Sequence, residues 1–399
     1  MFSVIVSAST LTLFLSFAIC LDNTAKAAAP FSYAVWAADS GIARGQGNGL
    51  VNGVPGVSYE HGEFQWALRL LYESTGNRSY FDYIKLGADT ILSDDGRSIA
   101  AYSVSEYQLD HLRVGPTFLY LYGKTGDEKY KTGADVLRAQ LDTQPRTTEG
   151  QFWHKQRYPD QGWLDGVYMG DVFYAVYTNR FESRNQTAWD DVNLQLSLMF
   201  NHTIQLPSNA NYTGLLYHGY DASLSTVWAS PDRGHSPEVW DRAVGWYFMA
   251  LVDLLEFVPP SQALHETASK QLHALAPKII EQADPVWWLV ITEPGREGNY
   301  SESSGAAMFV YSLLKAVRLG FLDNADGRIV AAAKAAYEYM LTHWVTDNGD
   351  GTMSWQGTVH VGSLDQDGSF QYYISQSVDT DDLKGLAAFV LASIEYEKL

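Results

Sequence analysis

Residues 69–92 read RLLYESTGNRSYFDYIKLGADTIL, and residues 118–141 read FLYLYGKTGDEKYKTGADVLRAQL. The two stretches echo each other, with Thr75-Gly76 recurring as Thr125-Gly126 at a period of 50 residues. Each copy predicts a helix, a T-G turn and a second helix, because glycine is the residue that most readily ends a helix in the left-handed conformation. A repeat of this length predicts stacked helical hairpins. Working outward, six segments carry apolar and small residues on most of their faces. They are GEFQWALRLLY (62–72), DHLRVGPTFLYLY (110–122), DGVYMGDVFYAVY (165–177), DRAVGWYFMALVDLL (241–255), SGAAMFVYSLLKAV (304–317) and DLKGLAAFVLASIE (382–395). A helix apolar nearly all round is buried on most sides. Segments between them, such as DGRIVAAAKAAYEYMLTHW (326–344), are more amphipathic and predict outer helices. Inner helices alternating with outer ones predict an all-α fold, an (α/α)6 barrel of six inner and six outer helices in one domain over residues 30–399. An α-solenoid is the competing architecture, but solenoids keep a tighter period. Long period-2 runs are nearly absent. GTMSWQGTVHVG (351–362) predicts a short hairpin, while GQGNG (45–49) and DNGDG (347–351) read as a loop and a turn.

The chain has 399 residues, with 27 Lys and Arg against 46 Asp and Glu, a net charge of −19. Such a surface repels nucleic acid and anionic membranes. An anionic ligand would need a local positive pocket. Aromatic residues make up 14% of the chain, 12 of them Trp, enough to serve both core packing and stacking on sugar rings. Residues 1–29 open with an apolar run, Val4 to Leu21, followed by small residues. This pattern predicts a secretory signal peptide cut after Cys20 or within Ala25–Ala29, and hence a secreted, extracellular protein with no membrane attachment after cleavage. The alternative is an N-terminal membrane anchor, since the run is near the short limit for spanning. Cys20 is the only cysteine, so the mature chain has neither a disulfide nor a thiol nucleophile. N-x-S/T sequons at Asn77, Asn185, Asn201, Asn211 and Asn299 mark candidate glycosylation sites.

HExxH, GxSxG and phosphate-loop patterns are missing, and nothing calls for a metal or a cofactor. What remains is a set of acids at the starts of inner helices: Asp110, Asp165, Asp221 and Asp241. Each could simply cap its helix. Asp165 stands out because Trp163, Tyr168 and Met169 surround it in sequence, and an apolar wall raises a carboxyl pKa and suits a general acid. Asp171, about two turns further in, reads as structural or as a secondary pocket residue. His154 in FWHK and His218 in LYHGYD lie in aromatic loops before inner helices and are candidate ligand contacts. Arg242, between Trp240 and Trp246, could grip a substrate carboxylate with its planar fork, or pair with Asp241 or Glu238. ESSGAAMF (302–309) reads as a tight helix start made for packing.

These pieces resemble glycoside hydrolase family 105, the unsaturated rhamnogalacturonyl hydrolases, related to the unsaturated glucuronyl hydrolases of family 88. The resemblance rests on YEHG (59–62), LDH with TGDEKY (109–130), FWHK, WLDGVYM (163–169), HGYD (218–221), SPEVWDRAVGWY (236–247), ESSGAAMF and DGSFQYYIS with DDLKGLAAF (367–389), in the family's order. It implies an (α/α)6 barrel that removes 4,5-unsaturated galacturonic acid from lyase-generated pectin oligosaccharides. It also implies that Asp165 protonates the double bond at C4, water adds at C5, and the hemiketal opens. The resemblance also implies that Asp110 matches a second family carboxylate, one that assists or binds. Tyr59, His154, Trp163, Met169, His218, Trp240, Arg242 and Trp246 fall on substrate-binding positions. The implied alternatives are release of unsaturated glucuronic acid from another lyase-treated polysaccharide, and a catalytically idle sugar-binding barrel. Two departures stand out. The family's W-G-R-G-N-G-W is WDRAVGW here, which would narrow the pocket or weaken anion binding, and Gly162 stands where Met is common.

Overall fold

The computed structural model describes residues 31–399. The predicted leader, including Cys20, lies outside the described residues. Twelve long helices wind into two concentric rings. The outer ring comprises α1 (Tyr33–Ala43), α3 (Arg78–Ile91), α5 (Glu128–Thr143), α8 (Gln186–Thr203), α10 (Ala263–Glu281) and α12 (Arg328–His343). The inner ring comprises α2 (Tyr59–Thr75), α4 (Gly115–Thr125), α7 (Val172–Phe181), α9 (Asp241–Phe257), α11 (Ser303–Arg318) and α14 (Leu383–Tyr396). The inner helices pack in sequence order, and α14 closes the circle against α2 and α1. Short helices α6 (Leu164–Gly166) and α13 (Phe370–Ile374) belong to the loops at one end. This is the (α/α)6 barrel, and the six inner segments named from sequence are its wall. Among the described residues no helix is long and apolar enough to cross a membrane.

The repeated T-G turn shows why these helices stop where they do. Gly76 and Gly126 each end their helix in the left-handed region, at φ 70°. The preceding Thr75 and Thr125 donate back to the carbonyls of Leu71 and Leu121, both at 2.7 Å. The same hydroxyls accept from the N–H of Asn77 and of Asp127. Those two residues then cap α3 and α5 through their side chains. Each hairpin therefore satisfies the orphan groups of both helix ends within a few residues.

The third inner segment is not a plain α-helix. Between α6 and α7, Val167–Asp171 forms a π-turn, and the second inner segment opens as a 3-10 helix, Leu109–Val114. Departures of this kind are frequent at functional sites. The predicted hairpin over 351–362 does not pair with itself. Its first half, β6 (Met353–Trp355), pairs with β5 (Val345–Asp347) across the DNGDG turn, and its second half, β7 (Thr358–Val359), pairs with β8 (Val378–Asp379). Gly357, at φ 79°, turns the chain between the two sheets. The remaining strands are β1 (Leu50–Val51) with β2 (Val54–Pro55), and β3 (Gln161–Trp163) with β4 (Gly219–Asp221).

Polar knots tie the inner ring together at its core. Arg113 donates to Glu63 at 2.8 Å and to the Tyr168 hydroxyl at 2.6 Å, and Tyr168 donates to Glu63 at 3.1 Å. Lys315 donates to Asp253 at 2.6 Å, linking α9 and α11. A charge buried without a partner is very costly, so such groups are paired and hydrogen-bonded.

Candidate active site

The loops before the inner helices gather at one end of the barrel, and the β3–β4 pair sets the site's geometry. Its antiparallel register places Trp163 opposite Gly219, and the Leu164 N–H donates to the His218 carbonyl at 2.9 Å. The start of α6, carrying Asp165, is thereby fixed beside His218. Gly219 is required here. A Cβ at that position would come within 2.7 Å of the Gly162 carbonyl oxygen. The family's methionine position, Gly162, has its side-chain space taken by Met199 of α8 and by Tyr220.

Asp165 lies in the first turn of α6 with 16% of its side chain exposed, and its Oδ2 is 3.1 Å from His218 Nε2. His218 is fully buried, and its Nδ1 meets the Tyr373 hydroxyl at 2.7 Å. Three rings hold this imidazole. Trp163 touches it edge-on at 5.4 Å, Trp240 lies against it at 4.9 Å, and Tyr373 stacks on Trp240. The expected apolar wall is only partly there. Trp163 belongs to it, but the Tyr168 hydroxyl is committed to Arg113 and Glu63 and its ring stacks under Trp246. Met169 is buried in the π-turn.

Trp163 also stacks on His154, at 4.5 Å, and on Tyr158, at 4.7 Å. His154 Nε2 is 3.4 Å from Asp110 Oδ1, and Lys155 Nζ is 2.6 Å from Asp110 Oδ2. Burial holds the His154 imidazole down at about 4, against the pull of Asp110, so this histidine is neutral at ordinary pH. Burial alone would raise the Asp110 carboxyl, but the charge and hydrogen bond of Lys155 lead the effects that outweigh it and hold it at about 2. Asp110 is therefore a permanent anion. Trp228 and Leu364 complete a small cluster with Tyr158 and Trp163 that roofs this side. Tyr59 meets Trp246 edge-on and has its phenol pushed well up by burial, with Glu60 and Asp110 adding to the effect. Two open clefts flank the centre. One, of about 460 Å³, is lined by Gln108, Lys155 and Arg157, and the other, of about 620 Å³, by Glu60, His360, Asp382 and Lys384.

Arg242 differs most from the sequence reading. It is 2% exposed and donates to Ser304 Oγ at 2.6 Å, to the His360 carbonyl at 3.1 Å, to Glu302 Oε1 at 3.1 Å and to the Val359 carbonyl. A guanidinium has five N–H donors in a fixed fork, so these four bonds leave no free pair for a bidentate grip. Its ion-pair partner is Glu302, not Asp241 or Glu238. The ESSG segment is thus more than packing. Glu302 also accepts from Ser304 and from the N–H groups of Gly305 and Val359. Burial would push the Glu302 carboxyl up, but Arg242 and the Gly305 N–H hold it below the usual range.

The WDRAVGW departure is absorbed into this same region. Asp241, Ala243 and Val244 are all fully buried, so none stands at the pocket's rim. Asp241 Oδ1 accepts from the Arg242 N–H at 2.8 Å, and its Oδ2 lies where a Cβ on Gly305 would sit. Burial, with the Glu302 charge added, pushes the Asp241 carboxyl well above its normal range. Asp221 is also structural. Its buried carboxylate organises the following loop by accepting from the N–H groups of Ser223, Ser225 and Thr226. Trp246 is buried and packs between Tyr59 and Tyr168. Of the sequon asparagines, Asn77 and Asn185 cap helices, and Asn77, Asn185, Asn201 and Asn211 are exposed. Asn299 spends both amide hydrogens on the carbonyls of Val290 and Glu293, so a glycan there would break the loop.

The structure therefore brings together Asp165, His218, Trp163, Trp240, His154 and Asp110. Sequence reasoning missed Lys155 and Tyr373. Lys155 follows His154 directly, and Tyr373 stood inside a quoted motif, but only the folded loops reveal their partners. One group of three possible metal ligands, His360, Asp379 and Asp382, lies at the edge of the second cleft. His360 is already bonded to Asp379, and Asp382 to Lys384.

An (α/α)6 barrel whose loops hold a partly exposed carboxylate against an imidazole flanked by two indoles is an arrangement that suits a glycoside hydrolase. The chain belongs to glycosyl hydrolase family 88, whose model matches residues 44–399. It is 37% identical to a family 105 glycoside hydrolase of Clostridium acetobutylicum, whose structure superposes with a TM-score of 0.85 over 92% of this chain and all of that one. The unsaturated glucuronyl hydrolase of Bacillus sp. GL1, 14% identical, shares the fold, with a TM-score of 0.63 over 92% of this chain and 95% of that one. A 24.9 kDa protein in the picA locus of Rhizobium radiobacter is 37% identical over 198 residues, 48% of this chain and 85% of its own length.

Proposed function

We propose that this glycosidase removes 4,5-unsaturated galacturonic acid from the non-reducing end of lyase-generated rhamnogalacturonan oligosaccharides. The observation that carries the reading is the Asp165–His218 pair. It presents a partly exposed carboxyl group bonded to a buried imidazole, which Trp163 and Trp240 flank. Ordinary glycoside hydrolysis needs two carboxyl groups flanking the glycosidic bond. The second acid here, Asp110, is tied up by Lys155 and held ionised, so it is poorly suited to give or take a proton. Hydration of a vinyl ether needs one group that gives a proton and then takes one. In this reading Asp165 protonates C4, water adds to C5 while returning its proton to Asp165, and the hemiketal opens to release the next sugar. Lys155, the partly exposed cation of the site, supplies the charge that attracts the uronate, in place of a bidentate Arg242. The leader and the exposed sequons at Asn77, Asn185, Asn201 and Asn211 support a secreted glycoprotein.

The test is loss of the double-bond ultraviolet absorbance with defined unsaturated disaccharides. We expect turnover of the galacturonyl-rhamnose substrate, and a drop of about 100-fold or more in kcat for Asp165→Asn, the scale of general acid–base catalysis. No absorbance loss with any unsaturated uronide would overturn the reading.

A further inference from the structure

We propose that Tyr373 is a positioning residue: its hydroxyl donates to His218 Nδ1, locks His218 with its proton on Nε2, and so confines the catalytic proton of Asp165 to Oδ1. The proposal rests on the reading of Asp165 as the acid. Its argument is one of hydrogen-bond accounting. Tyr373 is 1% exposed, and its hydroxyl bonds only His218 among the described residues. If Nδ1 carried a proton and donated it, the phenol's own hydrogen would be left buried and unpaired, at a cost of about 1–3 kcal/mol. Burial also pushes the Tyr373 phenol well above its ordinary range, with Tyr372 and Asp165 adding to that, so the hydroxyl keeps its hydrogen. A neutral imidazole has one donor and one acceptor nitrogen. With Nδ1 accepting, Nε2 must donate, and the group facing it at 3.1 Å is Asp165 Oδ2.

The neighbours keep this arrangement rigid. Trp240 stacks on Tyr373 at 5.6 Å and leans on His218, while Trp163 closes the opposite side. Ser369 caps α13 by accepting from the Tyr372 N–H, which fixes the phenol's approach. The titratable groups around the relay are His154 and Asp110 beyond Trp163, and Tyr372, Glu238 and Asp367 on the Tyr373 side. The two oxygens of Asp165 thus have separate tasks. Oδ2 accepts from His218 throughout. Oδ1 gives its proton to C4, becomes part of the carboxylate stabilised by the Nε2–H bond, and regains a proton from the water that adds to C5. His218 itself neither gains nor loses a proton.

The test has two arms. In nitrogen-15 NMR of imidazole-labelled protein, with the His218 signals identified by His218→Gln, wild type is expected to show a protonated Nε2 and an unprotonated Nδ1. A protonated Nδ1 would overturn the proposal. This arm needs no substrate, so it stands or falls apart from the proposed activity. In the second arm, Tyr373→Phe frees the other tautomer, whose bare Nε2 accepts from a protonated Asp165. We expect kcat to fall about tenfold, the worth of one buried hydrogen bond. KM should stay within about twofold, well inside the range of uniform binding. The alkaline limb of the rate profile should move to higher pH. Unchanged kcat and pH profile in the variant, or a loss confined to KM, would also refute it.

Discussion

Replacing Arg242 with glutamine separates two opposed readings of that residue. As a ligand for the uronate, Arg242 would matter in the kinetics; as the centre of a buried knot, it matters in stability. The structure favours the knot. Arg242→Gln removes the donors to Ser304, Glu302 and the carbonyls of Val359 and His360. Glu302 is left as a buried carboxylate with only neutral donors. Breaking a buried ion pair by removing one partner costs about 3–5 kcal/mol. That is a large share of the total stability of a typical domain, about 5–15 kcal/mol. We expect the unfolding free energy from guanidinium denaturation, followed by tryptophan fluorescence, to fall by that amount. KM measured on the folded fraction should rise only modestly. The reasoning fails if stability stays within about 0.5 kcal/mol of wild type, the range of neutral surface changes, while KM rises about 100-fold, equivalent to about 2.7 kcal/mol.

Asp171 is buried in the π-turn, its Oδ1 has no hydrogen-bond partner, and burial pushes its carboxyl well above the normal range, with Asp191 adding and Arg146 opposing. Its folded-state pKa lies above the unfolded value, so the acid destabilises the fold increasingly as pH rises from about 4, by about 1.4 kcal/mol per unit until it ionises. Asp171→Asn lacks that slope, so its stability relative to wild type should improve between pH 4 and 7; a pH-independent difference would refute this. Asp110 has the opposite sign. Held at about 2, it contributes about 2–3 kcal/mol above pH 4 that is lost as pH falls towards 2, so the penalty of Asp110→Asn should shrink as unfolding is measured from pH 6 down to pH 3. Gly219→Ala would press a methyl against the Gly162 carbonyl. We expect lower kcat from a displaced β3–β4 register and little change in far-ultraviolet circular dichroism.

Much of the fold was written in local chemistry. The T-G turns, the glycine caps and the six nearly all-apolar segments are short-range signals, and α9 begins at Asp241 as read. The hairpin over 351–362 failed because its strands find partners near residues 345 and 378, a choice made by tertiary packing. Asp165 and His218 were both singled out from local sequence, and the fold brings them within 3.1 Å of each other. The site was misread where a residue's role depends on what lies across the barrel. Arg242 between two indoles looked like an open fork, yet Glu302, sixty residues on, fills it. Tyr373 gave no signal of its own, because its significance is a 2.7 Å bond to a histidine in a distant loop.

The closure of the inner ring by α14 has a further consequence. Glu397 accepts from the Ser32 hydroxyl and the Ala34 N–H, so the first and last helices of the barrel are stitched to each other. Tyr373 and Lys384 both arrive in the final stretch of the chain, after the acid and its histidine have been made. During synthesis the earlier hairpins can stack as they emerge, but the circle stays open and His218 lacks its Tyr373 partner until these later segments have folded. The indole-lined pocket is thereby coupled to ring closure, because a chain lacking Tyr373 and α14 would leave Trp240 and His218 without their partner and the inner ring without its last wall.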